Sequence, residues 1–371
     1  MQKSEVFFSK RREVKRDDNY MNKIEKIWAG LGCDEIYKKR DIVAVKVHFG
    51  ERGNSTFIKP HYVAHIIKLL KANGCKPFLT DTATLYAGGR TNAVDHIETA
   101  MRHGFSYATM GCPIVIADGL YGRNAESVKI NQKNFSEVSL ASGIVEAEKL
   151  LVISHFKFHE VAGFGGAIKN LSMGCCSRKG KLEMHSDFKP RIDSKKCVAC
   201  GYCIKHCPTK ALSLGEVASG RKIAVLDSEK CIGCGECLGN CRFLAIGFDW
   251  NLPYENIMEK IAEYALGTTL TKEKVTYFNF LESITPLCDC YSFSDAPIVP
   301  DLGIMGSIDP VALDKACCDI VNAAPTNLSS RLKVESDDKF TALFPDVNWK
   351  HKIEYSEKIG LGSADYELKT I

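Results

Sequence analysis

The chain has 371 residues, of which 45% are hydrophobic and 25% charged, and its formal net charge is +4. That is the balance of an ordinary globular protein built from two or three units. No apolar run is long enough to span a membrane, and so small a net charge gives no electrostatic case for nucleic acid.

The opening stretch MQKSEVFFSKRREVKRDDNY is charged in both signs. It lacks the apolar centre of a signal peptide, and its basic part KRREVKR reads as a solvated leader or helix, with an anion-binding tail as the alternative. Alternating strand and helix signals follow. DIVAVKVHFG (41–50) is a β-branched run, and KPHYVAHIIKLLKANG (59–74) has helical spacing with Gly74 as a stop. CKPFLTDTA predicts a strand, NAVDHIETAMRHG a helix ending at Gly104, and CPIVIADG a strand. ASGIVEAEKLLVISHF runs from helix into strand. This order predicts an α/β layer on a largely parallel sheet.

Two cysteine runs interrupt the pattern, CVACGYCIKHCP (197–208) and CIGCGECLGNCR (231–242). Each spaces four cysteines as C-x2-C-x2-C-x3-C. The x2 spacings wrap one loop around three irons of a cubane, and the fourth ligand must come from elsewhere. Two zinc sites are the competing assignment, but two complete quartets, with Pro208 after the first, weigh against it.

Residues 190–249 resemble a bacterial-type two-cluster ferredoxin. TKALSLGE and FLAIGFD fit the short helix and strand that follow each cluster loop there. The resemblance implies two [4Fe–4S] clusters with crossed ligands. Cys197, Cys200, Cys203 and Cys241 hold one, and Cys231, Cys234, Cys237 and Cys207 hold the other. Arg242 stands where the second proline is usual. It is not a ligand position, and a cation there raises the nearby potential somewhat. With 17 cysteines in the chain, many in ligand spacing, a reducing cytoplasm is expected.

After residue 250 the α/β pattern resumes. PYENIMEKIAEYALG (253–267) predicts an amphipathic helix, KVTYFNFLE a strand, and VPDLGIMGS leads to DPVALDKACCDIV. There Asp309 suits an N-cap and Pro310 the first helical turn. The expected organisation is a discontinuous α/β domain of residues 1–189 and 250–371, with an α+β ferredoxin-like unit of residues 190–249 inserted into it. A tandem of three domains is the alternative. VAVKVHFGERGN, FLTDTATLY, SHFKFHEVAGFGGAIKNLSMG, SRKGKLEMH and CDCYSFSDAPIVPDLGIMGSIDPVALD together resemble the DUF362 family in its ferredoxin-containing form. That resemblance implies the same arrangement and supplies no reaction.

SHFKFHE is the most suggestive stretch outside the cysteine runs. If extended, it puts His155, Lys157 and His159 on one face and Phe156 and Phe158 on the other. It follows an apolar strand, where open α/β sheets gather their ligands. The reading is a cationic, proton-donating cluster; an exposed strand end is the alternative. GFGGAIKN (163–170) is neither a Walker loop nor a dinucleotide fingerprint. Its glycines form an anion-binding nest or a flexible turn, with Lys169 and Asn170 placed to orient a carboxylate or carbonyl.

Arg178, Lys179, Lys181 and His185 make a basic stretch that leads into the cluster region. It neutralises cluster charge, docks an acidic donor, or is a solvated linker. Cys288 and Cys290 could bind an additional metal with help from His155, His159 or His185, form a redox dithiol, or simply pack. Cys175 and Cys176 follow Gly174 in a loop and read as the pair more open to reactivity, and Cys317 and Cys318 as core. His48, Glu51 and Asp81 stand at strand ends.

The expected function is a cytoplasmic iron–sulfur protein that passes electrons through two [4Fe–4S] clusters to or from a site in the α/β domain. As a ferredoxin-linked oxidoreductase it would use His155, Lys157, His159, Lys169 and His185 to bind an anionic acceptor or move protons. Its electron donor would be a soluble carrier such as a ferredoxin. The alternative is a non-enzymatic electron-transfer or cofactor-assembly protein whose large domain recognises another protein.

Overall fold

In this computed structural model the described residues are 3–86, 88–185, 190–217, 219–231, 237, 241, 243, 245–248 and 254–371. An eight-stranded sheet organises the α/β part. Its strands in chain order are β1 (Ser4–Lys10), β2 (Ile42–Val47), β3 (Lys76–Asp81), β4 (Ile114–Ile116), β5 (Lys149–His155), β6 (Val275–Leu281), β7 (Gly303–Ser307) and β8 (Tyr366–Thr370). The spatial order is β8-β1-β7-β6-β5-β2-β3-β4. Strand β7 runs antiparallel to both its neighbours, β1 and β6. The remaining neighbours are parallel.

Side chains alternate across this sheet, and helices bury both faces, as a parallel sheet requires. Ala44, Leu150, Val152 and Tyr277 enter one core with the helices Tyr254–Leu270 and Pro310–Ala323. Val43, Val45, Leu151, Ile153 and Phe278 enter the other with Tyr20–Gly30 and Pro60–Ala72. The helix signals have local causes. Asp309 accepts from the backbone N–H groups of Val311 and Ala312, with Pro310 in the first turn. Gly74, just past the helix Pro60–Ala72, has φ +77°, a conformation that glycine adopts without strain.

Only the basic part of the N-terminal stretch is solvated: residues 12–17 are exposed, while the apolar run ahead of them is built into the sheet. Ser4–Lys10 is a strand between β7 and β8, with Val6 and Phe8 buried in one core and Phe7 packed against the other. Its apolar residues are used on both faces, so the flanking charges conceal it. Cys175 and Cys176 are fully buried too, not reactive thiols on a loop. Burial pushes both thiols up to about 12.

The region of the cysteine runs has a third, separate apolar cluster built from Cys197, Cys203, Leu212, Ile223, Ala224, Cys237, Ala245 and Ile246. Pro190–Ile192 pairs antiparallel with Ile246–Phe248, and Leu212–Glu216 with Lys222–Leu226. TKALSLGE supplies the strand Leu212–Glu216 without a helix ahead of it; the short helix Tyr202–Lys205 lies inside the first cysteine run. Cys234 and Arg242 lie outside the described residues. No described helix is long and apolar enough to cross a membrane.

Candidate functional site

The parallel strands β2, β3 and β5, with β6 beside them, end on one edge of the sheet. A cavity of about 920 Å³ opens there, at the top of the usual range for ligand sites. His155, Lys157, His159, Lys169, His185, Cys288 and Cys290 all line it. His48, Glu51 and Asp81 from the ends of β2 and β3 join them, and Ile246 and Gly247 of the cysteine-run region form part of the wall. Of the basic stretch, Lys181 and His185 reach the cavity. Lys179 faces out and pairs with Glu183, and Asp295 is exposed.

Alternation along SHFKFHE is as the sequence predicts. Phe156 and Phe158 are buried in the core against Phe164 and Phe340. The polar residues turn to the other side, where each has a fixed partner. His155 Nδ1 donates to Asp289 Oδ2 at 2.8 Å, and its Nε2 donates to the carbonyl of Glu282 at 2.8 Å. Lys157 Nζ lies 3.0 Å from Asp289 Oδ2 and donates to the His155 carbonyl at 3.0 Å. Burial opposes the Lys157 charge, yet Asp289 outweighs it and raises the pKa.

His159 is neutral rather than cationic. Its Nδ1 accepts from the backbone N–H groups of Val161 and Ala162 at 3.1 and 3.2 Å, so the ring proton sits on Nε2. Burial, reinforced by Lys169, drives its pKa down to about 3. It therefore serves as a hydrogen-bond donor from Nε2, not as an imidazolium acid. Burial also lowers the pKa of His185, whose Nδ1 donates to the Lys181 carbonyl at 2.6 Å.

In the glycine-rich segment Gly163 takes the positive φ of a turn, +73°, and the backbone beyond the glycines is not an open nest. Ala167 and Ile168 donate their N–H groups to the buried carboxylate of Asp314 at 2.7 and 2.9 Å. The chain's own anion thus fills the place of a ligand. At Gly166 a Cβ would stand 2.3 Å from Asp314 Oδ1. At Gly165 it would crowd Lys157 Cε at 3.3 Å. Asn170 is committed as well. Its Oδ1 accepts from Lys46 Nζ at 2.6 Å, its Nδ2 donates to the Ile153 carbonyl at 3.0 Å, and Lys46 pairs with Asp81 at 2.9 Å. These contacts tie β2, β3, β5 and the helix Ala167–Ser172 into one frame.

Lys169 differs from its neighbours, because its Nζ approaches a thiol, 3.8 Å from Cys288 Sγ. Cys288 Sγ and Cys290 Sγ are 3.0 Å apart, and Cys290 Sγ is 3.6 Å from His48 Nε2. The contact between the two thiols lowers the pKa of Cys290, with Lys169 adding to the effect, and raises that of Cys288. His48, Cys288 and Cys290 form a group of three potential metal ligands. The histidine beside the thiols is thus His48, not His155, His159 or His185. Nothing in the sequence ties it to cysteines about 240 positions away except its place just after a strand.

Arg90 completes the site and was not anticipated from the sequence. It is 1% exposed. It donates to Glu51 Oε2 at 3.1 Å and to the Tyr86 hydroxyl at 2.8 Å, and its Nη1 lies 2.9 Å from His48 Nε2. Lys157, Lys169, Lys181 and this guanidinium line one cavity with the carboxylates of Glu51, Asp81 and Glu160, and Lys169, which meets a thiol and not a carboxylate, is the cation best placed for a small anionic molecule.

A second, smaller cavity is lined by Cys197, Cys200, Cys203 and Cys241, three cysteines of the first run and the last of the second. Ile246 lines both cavities.

No curated protein matches the chain. Among solved structures, the lactate racemase apoprotein from Thermoanaerobacterium thermosaccharolyticum is 14% identical over 62% of this chain and 56% of its own, at a TM-score of 0.35. A protein from Thermotoga maritima is 14% identical over 69% and 50%, at 0.33. The chain therefore spans about half the length of these two proteins. The family described as "Domain of unknown function (DUF362)" matches residues 43–319, most of the sheet and the whole cavity edge, and the chain belongs to that family.

Proposed function

We propose that residues 190–249 form an inserted unit carrying two [4Fe–4S] clusters, and that the protein is an oxidoreductase acting on a small anion in the 920 Å³ cavity. The carrying observation is the convergence of Cys197, Cys200, Cys203 and Cys241 on one cavity, the crossed set that two-cluster ferredoxins use. The local chemistry fits thiolates. Backbone N–H groups point at three of the sulfurs, Ala224 at Cys197 (3.4 Å), Ala211 at Cys207 (3.1 Å) and Ala245 at Cys241 (3.3 Å). The second set would be Cys231, Cys237, Cys207 and the undescribed Cys234.

Bound there, each cluster would supply one-electron transfer. The chain's own residues do the rest. Lys169 and Lys157 supply the positive field for an anion, and His159 donates a hydrogen bond from Nε2. Ile246 is the shared wall between the cysteine cavity and the larger one. Cys200 is exposed, and Val198, Tyr202 and Phe243 expose apolar surface around it. A soluble carrier protein of the ferredoxin kind would dock on that face.

Anaerobically purified protein should hold about eight iron and eight sulfide per chain. Cys241→Ser should remove the same cluster as Cys197→Ser, and Cys207→Ser the other. Zinc in the quartets, or each replacement affecting only the cluster of its own run, would contradict the assignment. Lys169→Met should leave the cluster spectra intact. It should slow reoxidation of the reduced protein by the small-molecule fraction of a cell extract about 100-fold. Unchanged reoxidation would favour an electron-transfer or assembly role without a substrate.

A further inference from the structure

We infer that His48, Cys288 and Cys290 bind one soft divalent cation of the zinc class, with an open coordination position facing the cavity. The inference goes beyond the cluster reading and holds whether or not the cysteine runs carry iron.

The donor geometry is close to what such an ion requires. Zinc–sulfur and zinc–nitrogen bonds of about 2.3 and 2.0 Å in a tetrahedron put ligand atoms about 3.4–3.8 Å apart. Here Cys290 Sγ is 3.6 Å from His48 Nε2, the two sulfurs are 3.0 Å apart, and all three atoms lie within 4.8 Å of one another. The Cys290–His48 distance fits as it stands, and the two sulfurs must part by about 0.8 Å to take the ion between them.

The backbone around the thiols is held for this arrangement. In Cys-Asp-Cys the middle side chain turns inward, where His155 and Lys157 bind it. Its carbonyl accepts from the Glu51 N–H at 2.8 Å. With Asp289 anchored inside, both flanking sulfurs line the cavity, and His48 meets them from the end of β2. Packing does not demand this. The other cysteines of the sheet and helices, such as Cys175, Cys176, Cys317 and Cys318, are buried in the apolar core. Among the described residues only this trio forms such a group.

Donor chemistry selects the metal. Two thiolates and an imidazole prefer zinc, cobalt or nickel and discriminate against magnesium and calcium. Three protein ligands with a fourth position open is the pattern of catalytic zinc sites, and two cysteines with one histidine is a known set. Lys169 Nζ, 3.8 Å from Cys288 Sγ, is placed to balance the second thiolate charge. Metal entry requires two rearrangements. Arg90 Nη1 must leave His48 Nε2, and the Gly50 N–H must release His48 Nδ1, now 3.1 Å away, because the ring proton moves there. Both weaken affinity relative to a preformed structural site, so the ion should exchange. An oxygen of a carbonyl or carboxylate, flanked by Lys157 and Lys169, would occupy the open position.

Cobalt(II) added anaerobically to chelator-treated protein is the probe. Wild type should take up one equivalent more than the Cys288→Ser/Cys290→Ser double variant and show a thiolate-to-cobalt charge-transfer band that the variant lacks. Zinc should displace it. Reading the difference between the two proteins cancels any cobalt held by the cysteine quartets, so a failure of the cluster assignment does not disturb the result. His48→Gln should weaken uptake at least about tenfold, the least that losing even an outer contact costs. Equal uptake and spectra in wild type and double variant overturn the inference. So does a Cys288–Cys290 disulfide in anaerobically prepared protein, found by thiol alkylation and peptide mass. If the double variant does not fold, His48→Gln decides, and unchanged cobalt affinity refutes the site.

Discussion

Asp289 carries the loop that presents the two thiols, and it does so as a buried anion. Burial alone would raise its pKa, but His155 and Lys157 outweigh that and hold it well below the usual carboxylate range. Asp289→Asn leaves Lys157 buried without its counter-ion. Breaking a buried pair from one side costs about 3–5 kcal/mol, and the urea midpoint should fall accordingly; an unchanged midpoint would mean that the carboxylate does not hold this loop. Asp118 is the opposite case. It is fully buried just beyond β4 and its carboxylate accepts from the Ala83 N–H at 3.0 Å, yet desolvation pushes its pKa up to about 6. The folded chain thus keeps a proton that the unfolded chain, with a value near 4, has already lost. Its contribution makes stability fall as pH rises from about 4 to about 6, with the full penalty present above that window. Asp118→Asn keeps an acceptor for Ala83 and should flatten this slope, measured as the urea midpoint against pH; an identical slope in both proteins would count against the assignment. Neither effect can be read from the sequence, where both are lone aspartates after apolar residues. The partners of Asp289 are more than 130 positions away, and the same distance problem hid His48 and Arg90 from the thiols.

The helix Ala167–Ser172 shows how an element fixes a side chain. Its first N–H groups are held by Asp314 from the helix Pro310–Ala323, and Gly166 is what lets that carboxylate approach. Gly166→Ala would put a Cβ 2.3 Å from Asp314 Oδ1. Overpacking of this kind costs about 1–3 kcal/mol, and because the cap moves, Lys169 three residues further on moves with it. The expected result is a lower urea midpoint together with slower reoxidation; full retention of both would show that the cap is dispensable. At this scale, much was legible. The apolar periods of KPHYVAHIIKLLKANG and DPVALDKACCDIV, with their proline and aspartate punctuation, gave the helices Pro60–Ala72 and Pro310–Ala323. The strands with continuous β-branched runs were equally clear. What stayed hidden were elements whose pattern is diluted by charge. Strand β1 ends in the basic run KRREVKR, and β8 is YELKT, an edge strand whose polar residues suit its exposure. The fate of the glycine-rich segment was hidden too, since its anion comes from a residue about 150 positions later.

On the scale of the whole molecule, the strands that follow the cysteine runs are not a separate sheet. Strands β6 and β7 lie between β5 and β1, so the sheet is continuous only when the chain returns after residue 250. A fragment ending at residue 189 lacks two internal strands and one edge, and it should not unfold cooperatively. The complementary experiment removes the interruption. Pro190 pairs directly with Phe248, which places the two strand ends about 5 Å apart. Replacing residues 191–247 by a short glycine–serine turn therefore needs no rearrangement of the sheet, and loop closure of that length adds little entropy. The separate apolar cluster around Cys197 and Ile246 leaves with the deleted unit, while both sheet cores keep their contacts. The deletion should be soluble, unfold in one transition and contain no iron, and it should still bind cobalt at His48, Cys288 and Cys290. Its cavity loses only the wall contributed by Ile246 and Gly247. Loss of cooperative folding in the deletion would mean that residues 190–249 are part of the α/β core and not an insertion. Retained folding with lost cobalt binding would mean that the thiol site depends on the unit beyond that shared wall.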